Sequence, residues 1–418
     1  MPIDVAIAGA GPAGVACAVA LVRKDPSLRG RIVLFDRAGF PRAKPCGGGL
    51  TGHAEEAMRA LGLELTVPAI AAPRARVTFG TLDREVTLAR PVRVVRREEL
   101  DASLVAQARD LGIEVREHTA IDGFRVEEGG VAFGAGGQAL TARILVGADG
   151  AGSLVRKQLH GSRRAAAPDA ARDTPIRLFR LEIAAQAAWP RDTMLYDFTP
   201  MTEGLRGYLW IFPVPGDRLN VGLMHYPSLP LSGAQLTAML ARNLARFGVT
   251  LTAPARGWPA WGYVPSATVA SDRVLLCGDA AGIDALTGEG IAVGMEQGLV
   301  AGDAIVAALD RGDFRFRRYR RNLRRATVGR ELAIDRWLAR LLYAGNGWRR
   351  WLPLVLCDEK MLDLYAARVC GSLVLADHKR ELIWALARHI FRSGARTRAL
   401  DRAAIPRESK ALPETATL

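Results

Sequence analysis

The chain has 418 residues, 49% of them hydrophobic and 24% charged, and this composition excludes a disordered or collagen-like protein. The length predicts two or three domains, or one large two-domain enzyme. There are 57 basic and 43 acidic residues, and arginine, which suits planar anions such as phosphates, supplies nearly all of the positive charge. Five widely spaced cysteines without a CxxC pair argue against a disulfide framework or a zinc site and favour a reducing, cytoplasmic compartment. The sequence shows neither a signal peptide nor an apolar run of about 18 residues, so we expect no membrane span.

The first 36 residues follow a strand–turn–helix–strand pattern. A buried strand over 4–8 leads into Gly9-x-Gly11-x-x-Gly14, an apolar helix follows, and a second buried strand ends at Asp36. The glycines allow a tight turn and the close approach of a pyrophosphate to the helix N-terminus, while the acid can bind a ribose hydroxyl. This order of elements predicts a dinucleotide site in a βαβ unit.

The rest of the chain divides into segments of different periodicity. A hairpin is expected over 74–89, a helix over 98–111 and short strands over 113–146. The stretch 175–265 is strand-rich, and a helix-rich part runs from about 288 to about 400 before a loose end.

Two further segments join glycine to an acid where predicted strands end. They are Gly147-Ala-Asp149-Gly150 and Cys277-Gly278-Asp279, the second leading into Gly288-Glu-Gly290-Ile291. An Asp in such a place can bind ribityl or pyrophosphate oxygens, and glycines that open a helix let its positive end face an electron-rich ring carbonyl. Either segment alone is also typical of an ordinary strand–loop–helix turn, but their combination with the first turn is far more specific.

Two other stretches complete a resemblance to a known family. They are Phe40-Pro-Arg42-Ala-Lys44-Pro-Cys46-Gly47-Gly-Gly-Leu50 and Tyr208-Leu-Trp210-Ile-Phe212-Pro213, the second followed by Asn220-Val-Gly222. With the three glycine–acid motifs, they make the chain resemble the geranylgeranyl reductases, which are FAD-dependent oxidoreductases of the p-hydroxybenzoate hydroxylase-like flavoprotein superfamily. The resemblance covers roughly residues 1–330.

The resemblance implies an α/β fold with three parts. These are a glutathione-reductase-type, Rossmann-like FAD-binding domain, an antiparallel β-sheet substrate domain and a helical C-terminal region. The FAD-binding domain is expected to be discontinuous. It takes residues 1–73, 92–165 and 265–325, the substrate domain takes 74–91 and 166–264, and the helical region takes 326–418.

The resemblance also implies the residues of the site. We expect no metal there, because the six histidines show no metal-ligand spacing. The residues expected to bind FAD are Gly9, Gly11, Ala13, Gly14, Asp36, Arg37, Arg42, Lys44, Cys46, Arg97, Asp149, Gly150, Gly278, Asp279, Gly288, Gly290 and Ile291. The residues expected to bind substrate are Tyr208, Trp210, Phe212 and Pro213. The residues expected at the reaction centre are Cys46, Gly47, Tyr208 and Trp210.

Some of these assignments have a plain structural alternative. Arg97 also fits a surface salt bridge with Asp101, one helical turn later. The alternating Tyr208, Trp210 and Phe212 face one side of a strand, and such an aromatic stripe also fits an ordinary core.

Cys46 carries the most mechanistic interest. A cation at Lys44 and the backbone N–H groups of the glycine loop favour the reactive thiolate form, although a small buried residue is the alternative. The chain departs from the family at Leu205, where a proline is usual. It also has Asp284-Ala285 in place of Asn-Pro, where the family places the front edge of the flavin.

The implied activity is reduction of C=C double bonds in a prenyl, geranylgeranyl-type lipid by hydride transfer from reduced flavin. Cys46 or a water is expected to protonate the second carbon, and NAD(P)H or a ferredoxin-like protein to supply electrons. One alternative is an FAD-dependent monooxygenase, a hydroxylase or epoxidase rather than a halogenase, acting on an apolar aromatic or prenylated substrate. Another is a peripheral membrane-binding protein with a vestigial flavin site.

Arginine is concentrated in residues 311–350, where 13 arginines accompany three acidic residues. A solvated helix face is one interpretation, and a patch for anionic lipid or a pyrophosphate head group, helped by nearby tryptophans, is the other. No motif for nucleic acid accompanies the charge. We therefore expect a hydrophobic small-molecule or lipid substrate, no nucleic acid, and a cytoplasmic monomer or weak dimer for which peripheral contact with an anionic membrane remains open.

Overall fold

The computed structural model describes residues 2–161, 175–186, 189–226, 229–284 and 286–388. The strands are β1 Ile3–Ala8, β2 Ile32–Phe35, β3 Gly49–Leu50, β4 Ala69–Phe79, β5 Leu82–Val95, β6 Glu114–Arg116, β7 Ile121–Val126, β8 Val131–Ala135, β9 Gln138–Gly147, β10 Ile176–Ala184, β11 Thr193–Asp197, β12 Leu209–Val214, β13 Arg218–His225, β14 Arg256–Ala260, β15 Ala270–Ser271 and β16 Val274–Leu276. The helices are α1 Pro12–Lys24, α2 Gly52–Leu61, α3 Arg97–Asp110, α4 Leu154–Gly161, α5 Gly233–Ala245, α6 Ile291–Arg311, α7 Tyr319–Arg325, α8 Thr327–Tyr343, α9 Gly347–Cys357, α10 Glu359–Val369 and α11 over 379–388.

The first sheet is built around parallel strands. Its order is β15-β16-β9-β1-β2-β6, and the β7–β8 hairpin joins it at β9. Strand β1 pairs in parallel with β2 and with β9, and β9 pairs in parallel with β16. Because neighbouring elements cover both faces of β1, its sequence is an almost unbroken apolar run. The C-terminal ends of these strands therefore meet at one edge, where the three glycine–acid motifs follow them.

Helix α6 packs closely on α1 through small residues. A Cβ atom added at Gly298 would lie 2.6 Å from the Ala13 carbonyl oxygen, and one at Gly302 would lie 2.8 Å from the Ala20 Cβ. Contrary to the expectation from sequence, α6 is long and apolar enough to cross a membrane. However, 61% of its most apolar window is buried within the protein, and we describe it as a core helix.

The second sheet has the order β14-β10-β13-β12-β11-β4-β5-β3. All its pairs are antiparallel except β11 with β4. Side chains alternate along β12, so Leu209 and Ile211 join a small core beneath α5, while Trp210 and Phe212 join the main core on the other side. The second sheet thus presents an aromatic face toward the rest of the molecule.

The C-terminal helices cover the second sheet on this aromatic side. Helices α9 and α10 contact β5. Trp348 of α9 is buried, and its ring meets Phe79 of β4 edge-on, with centroids 5.9 Å apart. These helices close a space between the two sheets.

Several predicted boundaries differ from the structure. The β4–β5 hairpin is longer than the predicted 74–89, because residues 69–72 also pair with residues 92–95. Helix α5 was not predicted within the strand-rich stretch, although Ser232 and Gln235 form a capping box at its start. The predicted boundary at 165/166, the end of the helical region over 389–418 and the loose end lie outside the described residues.

The close packing of α1 on α6 leads to a stability prediction. We expect Gly298→Val to destabilise the fold by about 2 kcal/mol or more, because the added side chain forces apart two packed helices. Urea unfolding followed by circular dichroism measures the change. The control is Gly129→Ala, at a position where nothing lies within 4 Å of a new Cβ atom. A Gly298→Val protein as stable as this control would contradict the close packing.

Candidate cofactor site and substrate cavity

A single cavity of about 750 Å³ lies between the two sheets and the C-terminal helices. One half is lined by the glycine–acid motifs at the edge of the first sheet, and the other half by apolar and aromatic side chains. The apolar half takes residues from β4, β5, β11, the segment 208–212 and helices α8 to α11. The polar and apolar halves are therefore parts of one continuous space.

The first glycine turn is shaped by contacts that exclude a side chain. Gly9 has a φ of 100°, and a Cβ there would lie 2.3 Å from the Ala148 carbonyl oxygen. A Cβ at Gly14 would lie 1.9 Å from the Gly9 carbonyl oxygen, so Gly14 permits packing and does not itself line the cavity. Asp36 accepts hydrogen bonds from the backbone N–H of Ala10 and Ala38, both at 3.0 Å, which fixes the turn against the end of β2.

The second and third motifs bring two more carboxylates to the same edge. Asp149 Oδ2 caps α4 by accepting from the N–H of Leu154 at 2.7 Å, whereas Asp149 Oδ1 is buried without a hydrogen-bond partner among the described residues. Burial raises the pKa of Asp149 above its ordinary value, although hydrogen bonds oppose the shift. Asp279 lies 3.4 Å from Lys44 Nζ, and this ammonium also lies 5.5 Å from the centre of the Trp258 ring.

Two arginines share one buried carboxylate beside the first turn. Arg97 begins α3 and donates to both oxygens of Asp101, at 2.9 and 3.1 Å. Arg42 lies 3.4 Å from Asp101 and 3.6 Å from Asp36. The Arg97–Asp101 pair that the sequence allowed on the surface is therefore present but buried, and Arg97 lines the cavity.

Cys46 lies in the glycine loop, between the two halves of the cavity. Its Sγ accepts from the N–H of Gly48 at 3.4 Å, and its carbonyl accepts from Asn220 Nδ2 at 2.6 Å. Burial lowers the pKa of Arg97, but the neighbouring Asp101 and Cys46 raise it by a larger amount. The net shift is therefore upward, and the guanidinium beside Cys46 stays charged. The cation next to the thiol is thus Arg97, whereas the sequence suggested Lys44.

The aromatic residues of segment 208–212 form a wall of the cavity. A Cβ at Gly47 would lie 2.9 Å from the Phe212 ring, so the glycine loop packs directly on this wall. Trp210 donates to Asn220 at 3.0 Å, and Tyr208 donates to the carbonyl of Thr287. Pro213 was predicted to bind substrate, but it does not line the cavity, because alternation along β12 points it to the opposite face.

The loop over 284–290 is organised by the residue that departs from the family pattern. Asp284 is fully buried and accepts from the N–H of Leu286 at 2.6 Å and of Thr287 at 2.9 Å. It also accepts from the Thr287 hydroxyl and, at 3.4 Å, from the N–H of Glu289. A carboxylate that accepts four bonds holds Gly288 and Gly290 in place ahead of α6.

A charged cluster that the sequence did not reveal lies behind this loop. Arg368 of α10 is buried and pairs with Glu331 at 2.7 Å and Asp335 at 2.6 Å on α8, and it lies 3.8 Å from Glu289. Glu289 also accepts from the hydroxyl of Thr51. The sequence contains little indication of this cluster, because Arg368 is distant in sequence from its partners and lies in a region without a recognisable motif.

Glu296 belongs to the same group of acids. Burial, followed by the charges of Glu289 and Glu331, raises its pKa to about 8, so it holds a proton at neutral pH. Its carboxyl lies 3.8 Å from His53 Nδ1. In the part of the chain that the structure describes, no group of His, Cys, Asp or Glu has the arrangement of a metal site.

Most of the predicted site residues line this one cavity. From the polar half they are Gly9, Gly11, Ala13, Asp36, Arg37, Arg42, Lys44, Cys46, Gly47, Arg97, Asp149, Gly150, Gly278, Asp279, Gly288, Gly290 and Ile291, and from the aromatic wall Tyr208, Trp210 and Phe212. The sequence missed the part contributed by the C-terminal helices. Residues of this part include Leu338, Leu352, Val355, Met361, Tyr365 and Leu382.

The polar half fits FAD on three observations. Helices α1 and α6 both begin at the cavity without a side-chain cap, which leaves their first N–H groups for a pyrophosphate and for an electron-rich ring carbonyl. The unpartnered Asp149 Oδ1 suits a hydroxyl donor of the cofactor. Gly9 lines the cavity and has no room for a side chain beside the Ala148 carbonyl, so the backbone of the turn itself borders the cavity.

Comparison with known proteins agrees with this site. Residues 2–189 match the FAD binding domain family. Menaquinone reductase of Mycobacterium tuberculosis is 29% identical, with 90% of this chain and 92% of that protein covered. Digeranylgeranylglycerophospholipid reductase 1 of Methanopyrus kandleri is 27% identical, with 75% and 83% covered.

The fold is shared with a solved structure. A geranylgeranyl bacteriochlorophyll reductase-like protein of Thermoplasma acidophilum superposes with a TM-score of 0.66 at 17% identity, with 96% of this chain and 99% of that chain covered. The predicted α/β fold class is therefore confirmed, and the family match supports FAD as the cofactor.

The raised pKa of Glu296 gives a pH-dependent stability prediction. Above pH 4.5 the unfolded chain releases this proton, whereas the folded protein keeps it until about pH 8, so stability falls as pH rises through this window. At pH 9 we expect the free energy of unfolding of Glu296→Gln to exceed that of wild type by about 2 kcal/mol or more. At pH 4 the two proteins should be equally stable. Thermal unfolding across this pH range measures the difference. The exposed Glu128→Gln is the control, and a Glu296→Gln protein with an unchanged pH profile would show that this carboxyl ionises normally.

Proposed function

We propose that this chain, which is an FAD-dependent oxidoreductase of the geranylgeranyl reductase-like group, reduces C=C double bonds in the prenyl chain of an isoprenoid lipid. The observation that carries the proposal is the continuity of the cavity, which joins a dinucleotide cradle to a long apolar space. The names of the relatives point to lipids of this class, a menaquinone and a digeranylgeranylglycerophospholipid. A prenyl chain matches the apolar half in polarity.

The chain's residues address the difficulty of reducing an isolated alkene. Reduced FAD, when bound, supplies the hydride. The aromatic wall formed by Tyr208, Trp210 and Phe212 restricts the position of the alkene, and the apolar helices exclude water from it. Cys46, in the glycine loop between the two halves of the cavity, is the proposed donor of the proton that passes to the second alkene carbon. A proton from solvent then restores the thiol.

The proposal also includes an electron donor and a cellular compartment. The sequence has one dinucleotide turn, and FAD would occupy the polar half of the cavity. We therefore propose that the reductant, NAD(P)H or a ferredoxin-like protein, binds transiently. The cytoplasm is the proposed compartment, because the free cysteines suit a reducing environment.

Single-turnover reduction tests the proposed reaction. The protein is reduced with dithionite without oxygen and mixed with a menaquinone or a geranylgeranylated glycerophospholipid, and mass spectrometry follows the lipid. We expect products heavier by two hydrogens for each bond reduced, with reoxidation of the flavin at the same rate. If no prenyl lipid gains hydrogen, while air and NAD(P)H yield an oxygenated product, the enzyme is a monooxygenase and the proposal is wrong.

The role of Cys46 is tested separately. We expect Cys46→Ala to retain FAD but to slow alkene reduction by about 100-fold or more, because the proton donor is lost. Absorbance of bound flavin and the rate of product formation are measured together. Cys357→Ser, at an exposed position on α9, should leave both unchanged. Normal turnover by Cys46→Ala would assign the proton to another group.

A further inference from the structure

An apolar surface patch lies on the C-terminal helices. We infer that Trp337, Ile383 and Trp384, with the cations around them, dock the protein on the surface of an anionic phospholipid bilayer. We name these three residues the docking patch. The inference concerns binding to a membrane, and its link to the route of the substrate rests on the proposed function.

The docking patch is unusual in its exposure. Trp384 is 67% exposed, Ile383 58% and Trp337 42%. Among the described residues, five large apolar side chains are exposed, and three of the five belong to the docking patch. On its other side, helix α11 buries Leu382, Ala385 and Leu386, which form the apolar face that packs on the core. Ile383 and Trp384 lie outside this face and take no part in the core.

The two parts of the docking patch belong to adjoining elements. Arg330 of α8 pairs with Asp377 in the turn Leu375–His378, which leads directly into α11. Trp337 lies two helical turns beyond Arg330 on the same face of α8. The tryptophan of α8 thus lies on the helix face that contacts the turn leading into α11, which carries the apolar pair.

Cations accompany the docking patch on both elements. Within α11, Lys379, Arg380 and Arg388 are exposed, whereas the single acid, Glu381, lies 2.9 Å from His378. Near Trp337, Arg340 is exposed as well. Tryptophan at the headgroup level together with surrounding Lys and Arg is the combination that binds the interface of an anionic bilayer. This combination favours a lipid surface over an apolar protein partner.

The docking patch is next to the cavity along both helices. Leu338 follows Trp337 and lines the cavity, and Leu382 precedes Ile383 and lines it too. In both α8 and α11, one residue is therefore exposed to solvent while its neighbour in the chain lines the cavity. A prenyl lipid is poorly soluble in water, and a bilayer against this surface places the lipid phase one layer of side chains away from the cavity.

Vesicle binding tests the inference on the full-length holoprotein. Co-sedimentation is measured with phosphatidylcholine vesicles with and without added phosphatidylglycerol. We expect binding to the anionic vesicles that weakens with salt, and a loss of about tenfold in affinity for Ile383→Ser/Trp384→Ser. Lys379→Glu/Arg380→Glu should weaken binding without removing any apolar group. Val126→Ser, which removes an exposed apolar side chain elsewhere, is the matched control and should bind as wild type does.

The outcomes separate this inference from the proposed function. Melting temperature and flavin content establish that each variant is folded, and all variants should reduce a short, water-soluble prenyl substrate as wild type does. Prenyl reduction without vesicle binding, or vesicle binding that ignores these substitutions, would overturn the docking patch. A dimer in gel filtration that Ile383→Ser/Trp384→Ser dissociates would assign the patch to a second copy instead. Vesicle binding without reduction would leave the docking patch standing and remove the proposed reaction.

Discussion

The buried guanidinium of Arg368 connects parts of the molecule that are distant in sequence. It joins α10 to Glu331 and Asp335 on α8 and to Glu289 in the loop ahead of α6. A buried charge is tolerated where its partners are in place, and removing one partner from such a group typically costs about 3–5 kcal/mol. Helix α10 supplies cavity residues, so the shape of the apolar half depends on this ionic contact.

The same cluster limits the charge that the site must hold. Three carboxylates pair with one guanidinium, and a fourth, Glu296, lies close by with a pKa raised to about 8. A neutral Glu296 removes one negative charge from the group. Charges are thus concentrated behind the loop and beside the first glycine turn, while the other half of the cavity is lined mainly by aromatic and aliphatic side chains. The cavity therefore has a polar half and an apolar half that are separate in charge.

Local sequence was sufficient for the parts of the site that follow single strands. Gly9, Asp36, Asp149 and Asp279 were predicted because a turn and an acid after a buried strand leave a recognisable pattern, and all line the cavity. Contacts between distant segments left no such pattern. The neighbour of Cys46 is Arg97, fifty residues away, whereas sequence proximity favoured Lys44, which instead pairs with Asp279.

Other differences also have a local physical cause. Pro213 was grouped with its aromatic neighbours by adjacency, but strand alternation turns it away. The C-terminal helices follow an ordinary amphipathic pattern, which does not show that their apolar face borders a cavity and not a core. Asp284 looked like a departure from the family, and only its four hydrogen bonds show how it orders the loop.

The order in which strands enter the first sheet has a consequence for synthesis on the ribosome. Strand β1 is made first, yet its neighbour β9 lies at Gln138–Gly147, and α6, which covers α1, lies at Ile291–Arg311. Nascent chains that end before α6 leave an apolar α1 without its packing partner. The packing of α1 on α6 is therefore completed only after residue 311 has been synthesised.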